Sequence, residues 1–465
     1  IMVVQHNMQA ANANRMLNVT TSAQSKSTEK LSSGYRINRA ADDAAGLTIS
    51  EKMRKQIRGL DQASTNAQDG VSSVQTAEGA LTEVHSMLQR MNELATQAAN
   101  GTNSKDSDRQ AIQDEIDQLT TEIDRVSETT KFNETYLLKG EDGTKTINMK
   151  AHDAGLKGKL TDNGDGTATF VMDTLNAGDK VSIGGKSYTI GSDDAEVEKW
   201  FTDNGNDVKD EATKKVTVNG TEYTYYAAKA ANTTAGSLTD GWDAGWYASA
   251  PTDKGDGTGT ALSGKFANVD AIKAEVKKGA TVQNGTKSVT GMNDTTPKDG
   301  VSDTDATVIS KNKAYELASK ELLKANQIGD TEGNAQVGTG ADVDVAVDLT
   351  HGDGTFSIKV GQAKVANSLA FSLHVGADAD MTNKIQVNID AMDSASLGIK
   401  GLNVKDDSGN AATYAVDAIS DAISKVSSQR SALGAVQNRL EHTINNLDNV
   451  VENTTTAESR IRDTD

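Results

Sequence analysis

The sequence predicts an α+β protein, in which both chain ends form a long α-helical, coiled-coil-like rod and an inserted, mainly β outer region lies between them. Two observations favour this division of the 465 residues. Glycine is rare at the ends, since residues 1–130 hold six of the 41 glycines and residues 416–465 hold one. Both prolines and all three tryptophans lie between residues 200 and 297. The two ends are therefore predicted to form long, uninterrupted elements, whereas turns interrupt the middle.

Apolar residues at the two ends recur at the spacing of helices that pack on each other. Within 112–126 and 419–451 they are mostly three or four residues apart. Residues 71–94 carry a further apolar stripe, and Gly101-Thr-Asn-Ser is a turn before the next helix. An amphipathic helix is stabilised mainly by burying its stripe. We therefore expect the two ends to pack on each other, which makes residues from about 131 to 415 an excursion from the rod.

Alternating side chains around short turns predict β-hairpins in the middle. The two strongest signals are Gly184-Gly185 within residues 180–190 and Asn219-Gly220 within residues 216–225. Apolar residues on one helical face also predict a short helix over 311–324.

The tetrapeptide Gly-Asp-Gly-Thr occurs three times, at 164–167, 255–258 and 352–355. Aspartates among glycines also occur in calcium-binding β-rolls. Those rolls need tandem repeats, and a calcium loop needs about six or more oxygen ligands. The wide separation of the three copies therefore favours hairpin turns.

The composition excludes several classes of function. The chain has 47 Lys and Arg against 66 Asp and Glu, a formal net charge of −19, so phosphate backbones and anionic membranes repel it. It has no cysteine, which removes disulfides and thiolate metal sites. No apolar run is long enough for a membrane span. We predict no nucleic-acid partner and no membrane association.

No motif for catalysis or metal binding is present. The six histidines are scattered, without the His-Glu-x-x-His spacing of zinc hydrolases, and we expect His85 and His442 to be solvated helix residues. The chain has no nucleophile elbow, phosphate-binding loop or dinucleotide fingerprint. We therefore predict that it is not an enzyme and that it has no cofactor.

Two N-terminal segments are unusually poor in charge. Residues 8–25 contain one charged residue, Arg15, and residues 62–77 contain one, Asp69. Solvated helix faces usually carry both acidic and basic residues. Small polar residues can instead pack closely and still form hydrogen bonds, which favours a surface buried on assembly. The alternative is an ordinary low-complexity helix.

One N-terminal segment resembles a known protein family. Residues 31–50 read Leu-Ser-Ser-Gly-Tyr-Arg-Ile-Asn-Arg-Ala-Ala-Asp-Asp-Ala-Ala-Gly-Leu-Thr-Ile-Ser and closely resemble the N-terminal core of bacterial flagellins. The resemblance continues through Asn66-Ala-Gln-Asp-Gly70 and resumes near the other end at Asn388-Ile-Asp-Ala-Met392 and Leu433-Gly-Ala-Val-Gln-Asn-Arg439. It covers both ends and leaves the middle, roughly 145–365, without a counterpart.

The resemblance implies a structural subunit of the extracellular bacterial flagellar filament. In that family the terminal helices pair and polymerise into a hollow tube with other flagellin subunits, and the variable region faces outward. The chains leave the cell unfolded through the flagellar export apparatus, with an export chaperone as partner. The domains expected on this basis are an N-terminal helical core (1–145), a mainly β outer region (146–365) and the C-terminal part of the core (366–465).

The resemblance also implies recognition by the host's Toll-like receptor 5. The family's receptor-binding residues match positions in this chain that we take as candidates: Leu88, Gln89, Arg90, Glu93, Leu94 and, on the following helix, Glu115. On a helix Arg90 and Leu94 share a face, which would set a guanidinium beside an apolar anchor. The alternative is that this face serves only contacts between subunits.

The sequence departs from the family pattern at its C-terminal end. Family members usually continue past residues 461–465 into a last helix, so we expect the chain as given not to complete the filament core. Some flagellins carry a zinc protease in the variable region, which the absence of His-Glu-x-x-His excludes here. The alternative function is a flagellin-fold adhesin or a hook–filament junction protein.

Overall fold

A computed structural model describes residues 8–102, 107–230, 241–252, 264–295, 298–339, 354–406 and 408–464. Its longest elements are helices at the two chain ends, as the apolar periodicity predicts. The α-helices of the described residues are α1 (Met8–Ser33), α2 (Ala44–Ala98), α3 (Asp108–Thr129), α4 (Asp194–Asp203), α5 (Val269–Val276), α6 (Lys311–Asn326), α7 (Ser394–Leu397) and α8 (Asn410–Arg462). At ~1.5 Å per residue, α2 and α8 are each about 80 Å long.

The two ends of the chain pack on each other along α2 and α8, which confirms the predicted rod. The seam is formed by apolar side chains that are 0–6% exposed, with α3 closing a third side: Val74, Leu81, Val84, Leu88 and Met91 of α2, Ile112, Ile116 and Ile123 of α3, and Ile419, Ala422, Val426 and Leu433 of α8. Polar contacts continue the seam, since Ser50 Oγ donates to Glu458 Oε1 at 2.6 Å. Burial of this stripe is what stabilises such long helices.

A clasp at one end of the rod joins the α1–α2 loop to the end of α8. The backbone N–H of Arg36 donates to the carbonyl oxygen of Arg462 at 2.7 Å. The backbone N–H of Thr464 donates to the carbonyl oxygen of Gly34 at 3.0 Å. The Arg462 guanidinium lies 4.8 Å from the centre of the Tyr35 ring, a cation–π distance. Residues more than 400 positions apart are thereby held side by side.

Helix α1 has no buried residue among its 26. Its large apolar side chains are 59–81% exposed: Met8, Met16, Leu17, Val19 and Leu31. Among the residues that the structure describes, the helix therefore packs its apolar side chains against no other element.

The charge-poor segment 62–77 behaves differently from α1, and the expectation that its small residues await assembly is corrected in part. These residues belong to α2, where Ala67 packs with Leu440 of α8. A Cβ added at Gly70 would collide with the Leu373 side chain. Small residues are required here because two other elements of the same molecule approach α2 closely.

The β-strands lie between α3 and α8, as predicted. They are β1 (Lys131–Phe132), β2 (Thr135–Tyr136), β3 (Glu141–Asn148), β4 (Gly158–Asp162), β5 (Thr167–Met172), β6 (Lys180–Ile183), β7 (Lys186–Gly191), β8 (Lys215–Val218), β9 (Thr221–Tyr226), β10 (Gly245–Tyr247), β11 (Thr281–Asn284), β12 (Lys287–Thr290), β13 (Val308–Ser310), β14 (Gln336–Thr339), β15 (Thr355–Lys359), β16 (Gln362–Asn367), β17 (Leu369–His374) and β18 (Lys384–Ile389). A 3₁₀ turn, Met381–Asn383, precedes β18.

The strands form separate small sheets. The larger ones have the orders β10-β9-β8-β11-β12, β14-β15-β5-β4 and β13-β7-β6, and two-stranded ladders pair β1 with β2, β3 with β16, and β17 with β18. Apart from the parallel pair β7 and β13, the ladders are antiparallel. One core of the middle surrounds Phe170, Phe356 and Tyr315, and another surrounds Trp246 and Val282.

The predicted hairpins are confirmed. Gly184 and Gly185 connect β6 to β7 with φ values of 56° and 70°, and Asn219 and Gly220 connect β8 to β9 with 50° and 81°. Two successive positive φ values define the type I′ turn, whose twist matches that of the flanking strands. The helix expected over 311–324 is α6.

The first Gly-Asp-Gly-Thr copy, 164–167, closes the β4–β5 hairpin, as expected for a turn. The Asp165 carboxylate accepts a hydrogen bond from the backbone N–H of Thr167 at 2.9 Å. The copy at 255–258 lies outside the described residues, as do the first two residues of the copy at 352–355.

Candidate functional site

The six candidate residues lie where α2 and α3 pack on each other. Arg90 forms two ion pairs: its Nε lies 2.9 Å from Glu115 Oε1 on α3, and its Nη1 lies 3.2 Å from Glu93 Oε2 on α2. The sequence prediction that Glu115 flanks Arg90 is thus met by the geometry. The hydrogen bonds that Arg90 donates, first to Glu115 and then to Glu93, raise its pKa above the usual value. The three charged groups therefore form one oriented, solvent-exposed network.

Gln89 extends this exposed network toward the middle of α2. Its Nε2 lies 3.1 Å from Nε2 of His85, one helical turn earlier. His85 is half-buried rather than fully solvated, and the described residues offer its Nδ1 no hydrogen-bond partner. His442, the other histidine expected on a solvated helix face, is exposed.

The expected apolar anchor beside Arg90 is not on the surface. Leu88 is 0% exposed and Leu94 is 2% exposed, and both belong to the core between α2, α3 and α8. Residues four apart on a helix are offset by about 40°, so the edge of the buried stripe falls between Arg90 and Leu94. The accessible part of the candidate site consists of Gln89, Arg90, Glu93 and Glu115.

Arg109, which the sequence did not single out, positions α3 against α2. Its side chain is 2% exposed, and its guanidinium donates hydrogen bonds to three carbonyl oxygens, those of Ala98 (2.9 Å), Asn100 (3.3 Å) and Asp406 (2.9 Å). The α2–α3 turn and the loop before α8 are thereby fixed to one group. This fixes Glu115 relative to Arg90.

The exposed surface of α3 beside Glu115 carries further acidic residues that were not among the candidates. Asp114 and Asp117 accept hydrogen bonds from the side-chain amides of Gln110 (2.6 Å) and Gln113 (2.8 Å). Their position next to Glu115 in an amphipathic helix is the signal that could have identified them.

The described part of the chain contains no cluster of three or more His, Asp or Glu side chains placed to hold a metal ion. Among the helices that the structure describes, none has the length and apolar character that crossing a bilayer requires. The accessible residues of the candidate site form a polar, exposed protein surface.

Comparison with known proteins gives matches at both chain ends. A model of the bacterial flagellin N-terminal helical region matches residues 4–142, and a model of the bacterial flagellin C-terminal helical region matches residues 416–465. A solved structure of FliC from Burkholderia pseudomallei is similar at 19% identity and covers 80% of this chain and 99% of that chain. Its TM-score is 0.26, too low to compare the arrangement of elements.

Two curated relatives match the chain over all or nearly all of its length, and a third matches part of it. It is 34% identical to a flagellin of Clostridium tyrobutyricum over 468 residues, which covers 100% of this chain and 92% of the relative. It is 33% identical to flagellin C of Vibrio cholerae over 462 residues, 99% of this chain and 89% of the relative. A flagellin of Halalkalibacterium halodurans is 56% identical over 149 residues, 32% of this chain and 54% of the relative.

The helical rod of paired chain ends, the two matched helical regions and the full-length relatives agree with one another. The chain belongs to the bacterial flagellin family, and is therefore a structural, non-enzymatic subunit of the extracellular flagellar filament.

Proposed function

We propose that this chain self-assembles with other flagellin subunits through its terminal helices. The observation that carries the proposal is α1, a 26-residue helix with no buried residue. A helix of this kind is stabilised mainly by burial of an apolar face, yet Met16, Leu17 and Val19 are 59–64% exposed. Packing against α1 of neighbouring copies would remove these side chains from water.

Seeded elongation tests this proposal. The purified chain is added to short filament fragments of the same protein, and growth is followed by electron microscopy. Leu17→Glu places a charge in the exposed apolar part of α1 and should stop elongation. Val171→Glu, at a position that is 44% exposed on β5, is the matched control and should elongate normally. Normal elongation of the Leu17→Glu variant would contradict assembly through α1.

The same chain is also proposed as a ligand of Toll-like receptor 5, through the exposed residues Gln89, Arg90, Glu93 and Glu115. The resemblance to flagellins suggests the receptor, and the geometry supports a site: arginine is enriched in interface hot spots, and Arg90 is oriented by two carboxylates. Export as a secreted subunit with a flagellar chaperone completes the proposal and rests on family membership.

The domain division at 1–145, 146–365 and 366–465 also remains a proposal. It is supported by the separate cores of the rod and of the middle. Tyr414 of α8 nevertheless packs into one core of the middle. The outer region therefore contacts the rod through side-chain packing as well as through the connecting chain segments.

A further inference from the structure

The two ends of α2 carry opposite charge. Residues 44–60 contain four basic residues and one acidic residue, whereas residues 78–128, which cover the other end of α2 and all of α3 up to Glu128, contain eleven acidic and four basic residues. In a chain with a net charge of −19, a basic segment is unexpected. It requires an explanation of its own.

Three of the four basic residues at the first end lack partners among the described residues, whereas Arg54 pairs with Glu51. Lys52, Lys55 and Arg58, here called the basic row, are exposed and follow one another at steps of three residues. The described residues provide none of them with a hydrogen-bond or ion-pair partner. Ile49, three residues before Lys52, is 46% exposed, so an apolar side chain adjoins the row. Unpaired charge beside an exposed apolar group is typical of an interface.

Three exposed acidic residues of α3 also lack cationic partners among the residues that the structure describes. Asp114, Asp117 and Glu128, here called the acidic face, lie within about 60° of one another around α3 and are exposed. Asp114 and Asp117 accept hydrogen bonds only from the amides of Gln110 and Gln113, which carry no charge. The acidic face is therefore free to receive cations.

The row and the face cannot meet within one copy. The ion pair between Arg90 and Glu115 places Asp114 and Asp117 beside residue 90 of α2, and Glu128, farther along the antiparallel α3, lies nearer to residue 77. About 20 to 35 residues of straight helix separate these levels from the basic row, or about 30 to 50 Å at ~1.5 Å per residue. The Debye length at physiological ionic strength is only about 8 Å. Within one copy the acidic face therefore cannot neutralise the basic row.

We propose that the basic row of one copy docks on the acidic face of the next copy along the filament. The proposal rests on the proposed self-assembly and names a contact within it. The contact joins two different surfaces, so it leaves one basic row and one acidic face free at the ends of every stack. A head-to-tail contact that does not close on itself generates an open filament.

Charge reversal tests the contact. The variant Lys55→Glu, Arg58→Glu makes both surfaces acidic, and the variant Asp114→Lys, Asp117→Lys makes both basic. Each variant alone should need at least about a tenfold higher concentration to elongate seeds, because paired charges become repelling ones. In an equimolar mixture every contact can join unlike charges, so elongation should return to within about twofold of the unaltered protein.

Two controls make the test specific. Lys159→Glu, Lys180→Glu changes the net charge equally, at exposed positions of β4 and β6, and should elongate like the unaltered protein. Far-UV circular dichroism of every variant should show unchanged helix content, because all the altered side chains are exposed.

The outcomes separate this contact from self-assembly in general. If the unaltered protein does not elongate, self-assembly fails and the contact fails with it. If the unaltered protein elongates and the reversed variants elongate equally well, or if the mixture is no better than its parts, the contact is wrong and self-assembly stands. Loss of binding to phosphatidylserine vesicles by the Lys55→Glu, Arg58→Glu variant, with normal elongation, would assign the basic row to a lipid surface and overturn the proposal.

Discussion

Lys145 lies directly opposite Val365 in the antiparallel ladder of β3 and β16. The chain therefore leaves the rod and returns to it on two paired strands. The ladder ends at Asn148 and Gln362, whose side chains also pair, since Gln362 Nε2 donates to Asn148 Oδ1 at 2.9 Å. The chain between these two residues therefore leaves the rod and re-enters it at neighbouring positions.

This pairing predicts that a two-residue turn can replace the excursion. Deleting residues 149–361 and joining Asn148 to Gln362 through Asn-Gly should give a soluble helical protein, because Asn-Gly favours the type I′ turn that connects paired strands. Circular dichroism and a thermal melt check this, with helix content per residue expected to rise.

The matched control for the deletion joins Asn148 through Asn-Gly to Ala363 instead. A shift of one residue moves every side chain of β16 to the opposite face. This control should melt at a lower temperature than the first deletion. Equal melting temperatures, or an insoluble first deletion, would contradict the ladder as the connection between rod and excursion.

Two glycines of α2 should respond oppositely to the same substitution. A Cβ at Gly70 would meet Leu373, whereas nothing lies within 4 Å of a Cβ at Gly79. Gly70→Ala should lower the free energy of unfolding by about 1–3 kcal/mol through overpacking. Gly79→Ala should raise it by up to about 1 kcal/mol, because alanine is the better helix former. Urea unfolding measures both, and a stabilising Gly70→Ala would show that β17 does not press on α2.

Asp406 should make the stability of the rod sensitive to acid. Burial raises the pKa of this carboxyl. Hydrogen bonds from Ser408 and from the backbone N–H groups of Ala411, Gly409 and Asn410 lower the pKa by more than burial raises it, so the net shift is downward. When folding lowers the pKa of a carboxyl, the ionised group stabilises the folded state at pH values above the unfolded pKa of about 4. That stabilisation is lost as the pH falls through the folded pKa.

Asp406→Asn should therefore lower the free energy of unfolding by about 0.5–1 kcal/mol at neutral pH, the size of a helix-cap effect on a partly exposed group. The difference should vanish in acid, once the pH has fallen below the lowered folded-state pKa and the native carboxyl is protonated. Asp69→Asn, at an exposed position of α2, is the control and should cause no difference at either pH. A gap that persists in acid would show that the charge of Asp406 is not what stabilises α8.

Arg90→Ala should weaken binding to the ectodomain of Toll-like receptor 5 by about fivefold or more, the effect of losing an interface hot spot. Arg125→Ala is the matched control, because Arg125 is also exposed on the rod and pairs with a neighbouring glutamate, Glu122. Surface plasmon resonance compares the two. Leu94 is unsuitable as a probe, since its truncation would open the core. Equal affinities of Arg90→Ala and the unaltered chain would remove this site.

The helices and hairpins could be predicted from the sequence because their signals are local. Apolar spacing identified α3 and α8, and Asn219-Gly220 identified a type I′ turn. Leu94 is the last member of the apolar stripe over 71–94, so the sequence indicated its burial as well as a role as a surface anchor, and only the structure decides for burial. The role of Arg109 could not be predicted, because one of its hydrogen-bond acceptors, the carbonyl oxygen of Asp406, lies almost 300 residues later in the sequence.

Arg109 also affects how the rod responds to the salt concentration around it. The carbonyls that bind its guanidinium are neutral dipoles, and the group is 2% exposed, so dissolved ions cannot reach the contact to screen it. Exposed ion pairs such as Arg90 with Glu115 weaken as salt rises. The junction of α2, α3 and α8 should therefore keep its geometry at low and at high salt, while the surface charges around it change their strength.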